Sequence, residues 1–138
     1  MIRELVILEL IDSPYVVKVY EFLRTSGSFY MIQEYANGGS LQDLLDLRGK
    51  FPESVAKKLL RQIIGGLSAL YEMKVVHRDL KLDNILISFP NLGENLTKEQ
   101  KKSIDMEKEE FCIKIADLGY SRALEVGEKA KTGCGTPL

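Results

Sequence analysis

Between residues 75 and 88 the chain reads VVHRDLKLDNILIS. A histidine, an arginine, two aspartates, a lysine and an asparagine crowd between two apolar runs, and few folds accommodate that order. Charges at this density need water or partners, which places them in a loop, while the aliphatic residues on either side bring one strand in and take another out. The fold must therefore hold this charged loop at the rim of an apolar core.

The rest of the chain limits what such a loop can serve. With 138 residues, 45% hydrophobic and 28% charged, the chain suits one globular domain with a modest core. A formal net charge of −1 lacks the basic excess that nucleic-acid phosphates call for, so no nucleic-acid partner is expected. No apolar run approaches the ~20 residues that cross a bilayer. The start, MIRELVILELID, carries charges throughout, unlike a signal peptide. The expectation is a soluble cytoplasmic protein without a membrane partner, its Cys112 and Cys134 free thiols of a reducing compartment.

Local patterns order the elements. RELVILELI places Leu5, Leu8 and Ile11 on one helical face, and Asp12-Ser13-Pro14 ends it, because a residue before proline is pushed out of the helical region. VVKVYEFL and SFYMIQEYA, separated by Arg24-Thr25-Ser26-Gly27, read as a hairpin. After the break at Asn37-Gly38-Gly39, Ser40 caps a short helix, SLQDLLDLR, that Gly49 closes. A longer helix starts near Pro52, with Val55, Leu59, Ile63, Leu67 and Leu70 at helical spacing and Leu60, Ile64 and Tyr71 alongside. Its Gly65-Gly66 pair costs about 1–2 kcal/mol relative to alanine, so tertiary packing must hold it. NILIS and FCIKIADLG read as two further strands. The segment between them, FPNLGENLTKEQKKSIDMEKEE, is dense in mixed charge and is expected to be a solvated, partly disordered insertion, with a transient helix from about Lys98 where Thr97 and Gln100 form a capping box.

Asp79, Lys81 and Asn84 set a carboxylate base, a cation and a neutral oxygen ligand within six residues, and Asp117 stands at the end of the next strand. Two strands joined by a connection bring Asn84 and Asp117 to neighbouring positions. Few oxygen ligands that leave room for water and phosphate suit Mg²⁺ better than zinc.

HRDLKLDN, residues 77–84, resembles the catalytic loop of protein kinases, and Asp117-Leu118-Gly119 resembles the Asp-Phe-Gly motif of that family. The resemblance runs along almost the whole chain. RELVIL resembles the end of the family's C helix, which implies that Glu4 pairs with an active-site lysine. MIQEYANGG resembles the hinge that receives the adenine of ATP, with Gln33 as gatekeeper and Glu34, Tyr35 and Ala36 lining it. Gly133-Cys134-Gly135-Thr136-Pro137 resembles the end of the activation segment. The implied fold is α+β, protein-kinase-like and partial. Residues 1–36 are then the end of the N-lobe and the hinge, and 37–138 the start of a mainly helical C-lobe with a charged insertion at about 89–110.

The same resemblance implies the roles. Asp79 accepts the proton of the substrate hydroxyl as it attacks the γ-phosphate, Lys81 stabilises charge on the transferred group, and Asn84 and Asp117 hold Mg²⁺. Arg78 lies where phosphate on the activation segment, as on Thr132, can pair with it. His77 and Leu118 are packing elements stacked with Leu8 and Val19. Lys81 and Thr136 point to the serine/threonine-directed branch, hence to protein substrates with Ser or Thr hydroxyls.

Three departures stand beside this. Leu118 replaces the usual phenylalanine, the insertion is long, and the chain as written has no GxGxxG loop, no VAIK-like lysine and nothing after Leu138. It therefore reads as a partial kinase domain, inactive and loosely folded on its own, whose 53–73 helix lacks a partner for its apolar face. The alternative is a kinase-derived regulatory or binding module without catalysis.

Overall fold

The computed structural model describes residues 9–118 and the backbone of residues 122 and 123. Glu4, Leu8, Thr132, Cys134 and Thr136, singled out above, lie outside the described residues. Residues 9 and 10 are helical, and the chain leaves the helix at Asp12-Ser13-Pro14.

Strands β1 (Val19–Arg24) and β2 (Phe29–Gln33) pair antiparallel, from Val19 opposite Gln33 to Arg24 opposite Phe29. The turn closes with the Thr25 N–H donating to the Ser28 carbonyl at 2.9 Å. Only Val19 of this hairpin is fully buried; Tyr20, Phe29, Tyr30, Met31 and Ile32 are exposed.

The rest is organised round a three-stranded sheet, in the order β3 (Gly39–Ser40), β5 (Ile85–Ser88), β6 (Cys112–Ile115). Ile85 faces Ile115 and Ile87 faces Ile113 in antiparallel register, and the two-residue period buries all four on one side. Ahead of β1, Val16 bridges Ile115 in parallel, with the Val17 N–H on the Ile115 carbonyl and the Ile115 N–H on the Tyr15 carbonyl, each 2.9 Å. Strand β4 (Val75–Val76) pairs with β7 (Arg122–Ala123), so the chain on the far side of Asp117 returns beside the start of the charged loop.

Helix α1 (Leu41–Arg48) begins at Ser40, whose Oγ accepts the Asp43 N–H at 3.0 Å, and ends at Gly49, which adopts φ 79°. Helix α2 (Glu53–Glu72) buries Val55, Leu59, Gly66 and Leu70, with β6 among its packing partners. The unpartnered apolar face expected from the sequence is thus corrected for this stripe, which the sheet covers. Leu60, Ile64 and Tyr71, the neighbouring stripe, are exposed.

Gly65-Gly66 makes that packing possible. A Cβ on Gly66 would lie 2.7 Å from Ile115 Cδ1 and 2.8 Å from the Tyr15 carbonyl oxygen, and one on Gly65 would meet the Tyr15 ring at 2.8 Å. Gly66→Ala gains ~1 kcal/mol of helix propensity but forces helix, Tyr15 and β6 apart at a cost of ~1–3 kcal/mol. Net destabilisation is expected in urea unfolding; a more stable variant would remove this account of the glycine pair.

Residues 89–110, expected to be solvated and partly disordered, are docked. Phe89 and Met106 are completely buried, and Phe111 just beyond the segment nearly so, because large apolar side chains are set in a sequence whose charge count conceals them. The helix anticipated from Lys98 is present as α3 (Lys98–Ser103), its capping box formed by Thr97 and Gln100. Arg48 Nη1 donates to the Lys101 and Lys102 carbonyls at 3.0 and 3.1 Å, satisfying groups near the helix C-terminus. Lys58 Nζ donates to the Glu107 carbonyl and the Ser54 hydroxyl to the Glu107 carboxylate, which ties the segment to α2. The insertion leaves and rejoins the sheet at the Ser88 and Cys112 ends, opposite Asn84. Cys112 is a free thiol whose pKa burial pushes up, with the nearby Lys114 charge pulling against it.

Candidate active site

The charged loop hangs between β4 and β5. His77, nearly fully buried, sets its shape: Nε2–H donates to the Ala116 carbonyl at 2.8 Å, and Nδ1 accepts the Asp79 N–H at 3.3 Å. The two bonds together require the neutral tautomer protonated at Nε2. The expectation of a packing histidine is thereby sharpened, since it also couples the loop to the residue before Asp117. Two non-glycine residues here adopt left-handed backbone, Arg78 at φ 69° and Asp117 at φ 53°. Such conformations cost on the order of 1–3 kcal/mol each, and the surrounding bonds over-determine them.

The residues between 79 and 84 converge on one carboxylate. Asp79 has a side chain only 11% exposed; its Oδ2 lies 3.3 Å from Lys81 Nζ and accepts from Asn84 Nδ2 at 3.0 Å. The same Nδ2 donates to the Asp79 carbonyl at 2.9 Å. A 3-10 turn, Leu82–Asn84, delivers Asn84 to this position, closed by the Asn84 N–H on the Lys81 carbonyl. With Nδ2 committed, Asn84 presents Oδ1 as its lone-pair end, and among the described residues no donor takes it.

The Ala116 N–H donates to the Asn84 carbonyl at 2.8 Å, continuing the β5–β6 ladder by one step. Asn84 and Asp117 therefore flank one end of the sheet, as the strand reading implied. Asp117 is exposed, whereas Leu118 is buried in the core cluster that also holds Val19. Among the described residues no group of three His, Cys, Asp or Glu side chains could enclose a metal ion. An amide oxygen beside a single carboxylate suits a hard cation that completes its shell with water and phosphate.

Residues 33–36 follow β2. Glu34 is held on both sides: its N–H donates to the Lys18 carbonyl at 2.8 Å, its Oε2 accepts the Lys18 N–H at 3.2 Å, and its Oε1 pairs with Lys114 Nζ at 2.7 Å. The Glu34 side chain is thus engaged with β6, which the sequence reading missed and only a charge at position 114 hinted at. Tyr35 is exposed, its hydroxyl donating to the Glu94 carbonyl at 3.3 Å, and Ala36 is buried. No hydrogen bond among the described residues uses the Glu34 carbonyl or the Ala36 N–H. Gln33 Oε1 is buried and likewise has no partner among them. A backbone acceptor and a backbone donor two residues apart suit the edge of a planar ligand.

Asn37, read from the sequence only as part of a strand break, is buried; its Nδ2 donates to the carbonyls of Phe89, Leu92 and Gly93 and its Oδ1 accepts the Phe89 N–H. It clips the insertion to the chain just beyond residues 33–36.

The protein kinase domain family matches residues 1–138. Over 138 residues the chain is 36% identical to serine/threonine-protein kinase ATG1a of Arabidopsis thaliana, all of this chain and 19% of that protein. Over 135 residues it is 34% identical to serine/threonine-protein kinase GIN4 of Saccharomyces cerevisiae, 98% of this chain and 10% of that protein. Serine/threonine-protein kinase ATG1c of Arabidopsis thaliana is 31% identical over 138 residues, again all of this chain and 16% of the relative. The chain thus spans less than a fifth of the length of each of these relatives.

Proposed function

Because this chain belongs to the protein kinase family, in its serine/threonine branch, we propose that it carries part of the site for transfer of the γ-phosphate of ATP to Ser or Thr hydroxyls of a protein. The observation that carries this reading is the arrangement on Asp79: a carboxylate held by Lys81 and Asn84, with Asn84 tied through its carbonyl to Ala116, the residue before Asp117.

In this reading Asp79 orients the substrate hydroxyl and takes its proton. Its acceptor geometry is fixed beforehand by the Asn84 amide and the Lys81 ammonium, so little reorganisation accompanies the reaction. Lys81, 3.3 Å from Asp79 Oδ2 and about one-third exposed, is able to turn towards negative oxygens on the transferred group. Asn84 Oδ1 and Asp117 would hold Mg²⁺, which when bound neutralises phosphate charge. The Glu34 carbonyl and Ala36 N–H would receive the adenine edge, with Gln33 beside them and Tyr35 lining the mouth. Arg78 would pair with phosphate on Thr132, Thr136 would touch Asp79 and Lys81, and Glu4 would pair with a lysine of the nucleotide site. Leu118 sets how Asp117 is presented, since its burial anchors the residue after the carboxylate. The division into an N-lobe remnant (1–36) and a C-lobe start (37–138) with the 89–110 insertion belongs to the same proposal. Among the described residues no helix is long and apolar enough to cross a membrane.

The test joins this chain to a glycine-rich loop, a nucleotide-site lysine and the rest of a C-lobe, and follows label from γ-labelled ATP to pools of serine/threonine and of tyrosine peptides, with and without Mg²⁺. Label on serine and threonine alone, and only with Mg²⁺, is expected. Phosphotyrosine as the main product, or transfer indifferent to Mg²⁺, would overturn the proposal.

A further inference from the structure

A cavity of about 580 Å³ opens where the α1–α2 connection meets the insertion, lined by Arg48, Lys50, Phe51, Pro52 and Lys102. Three of these five side chains are cationic and none is a carboxylate. Among the described residues neither Lys50 nor Lys102 makes an ion pair. Nearby acids are engaged elsewhere: Glu53 with Lys57 at 2.6 Å, and Asp105 with Lys108 at 3.1 Å. Arg48 is anchored through Nη1 on the carbonyls at the end of α3, so one cation is held in place beside the two lysines. A second cavity, about 480 Å³, takes its charged lining from Asp43, Asp46, Lys98 and Lys101 and is charge-balanced.

We propose that this cavity is a docking site for a phosphorylated segment of a partner protein, a phosphoserine or phosphothreonine followed by an apolar residue. Three cations around one opening match a dianion, and a guanidinium with donors to spare matches its oxygens. Phe51 and Pro52 offer an apolar wall for the adjoining side chain. Three cations at one opening make a compact patch, smaller than other anionic surfaces call for. Nucleic acid calls for an extended basic stripe, and an anionic membrane for a run of several basic residues; the chain as a whole carries −1. The site lies on the insertion side of the molecule and does not rest on the catalytic reading.

¹⁵N-labelled protein would be titrated with a phosphoserine peptide pool of degenerate flanks and with the same pool unphosphorylated. Amide shifts confined to residues 48–51 and 101–103, seen with the phosphorylated pool alone, are expected. Lys50→Glu with Lys102→Glu should weaken binding about tenfold or more, and Lys50→Arg with Lys102→Arg should retain it; circular dichroism checks that each variant is folded. No localised shift, equal shifts from both pools, or shifts produced only by phosphatidylserine-containing vesicles or a uridine oligomer would overturn the proposal.

Discussion

Asp117→Asn, placed in a kinase domain that joins this chain to a glycine-rich loop, a nucleotide-site lysine and the rest of a C-lobe, is expected to abolish Mg²⁺-dependent phosphoryl transfer while leaving the fold intact. The carboxylate is exposed and sits at φ 53°, a conformation that asparagine tolerates at least as well as aspartate, so the substitution brings no new strain. What it removes is the charge that would share a hard cation with Asn84 Oδ1. Asp79→Asn should lower transfer by about 10²–10⁴-fold through loss of the base, with nucleotide affinity changed little. The replacement amide still offers an oxygen to Asn84 Nδ2 but loses the ion pair with Lys81. Radiolabel transfer, ATP calorimetry and urea unfolding on the same preparations separate these effects. Transfer undiminished in both variants would remove the assignment of the site.

Asn37→Ala should produce the largest change in stability. Its side chain makes four hydrogen bonds to the backbone of Phe89, Leu92 and Gly93. Truncation leaves the buried Phe89 N–H without its partner, at about 1–3 kcal/mol, and removes the side-chain bonds to the Phe89, Leu92 and Gly93 carbonyls, of which the Phe89 carbonyl keeps the Leu92 N–H. A loss of about 2–4 kcal/mol is expected, expressed first as opening of the insertion. Hydrogen exchange should accelerate through 89–93, and proteolysis between Asn91 and Glu110 should become the earliest cut. In the unaltered protein the same span should be protected, because Phe89 and Met106 are fully buried. Early cleavage there without any mutation would mean that the docked arrangement is not populated.

The parts of the site legible in the sequence share one property: their chemistry is local. Asp79, Lys81 and Asn84 meet through a turn of six residues, so composition and spacing alone suggested that they act together. Asp117 came into view because β5 and β6 are both written in alternating aliphatic residues, whose pairing puts it beside Asn84. Ser40, Gly49 and the Thr97–Gln100 capping box could be read for the same reason, as each is satisfied within one helical turn. The insertion was misjudged because charge density is an average, whereas burial is decided by individual residues such as Phe89 and Met106 meeting a surface that composition does not reveal.

The amino-acid sequence by itself determined the family, the order of the elements and the residues gathered on Asp79, since these depend on short-range periodicity, turn geometry and spacing. Tertiary structure alone decided the tautomer of His77 through the Ala116 carbonyl, the capture of Glu34 by Lys114, the space that Gly66 clears for Tyr15, and the clip from Asn37 to Phe89. In each of these the partner lies some forty to eighty residues away along the chain. Such a bond exists only after the sheet and α2 have closed on each other, and no local pattern records which distant group will satisfy a buried polar atom.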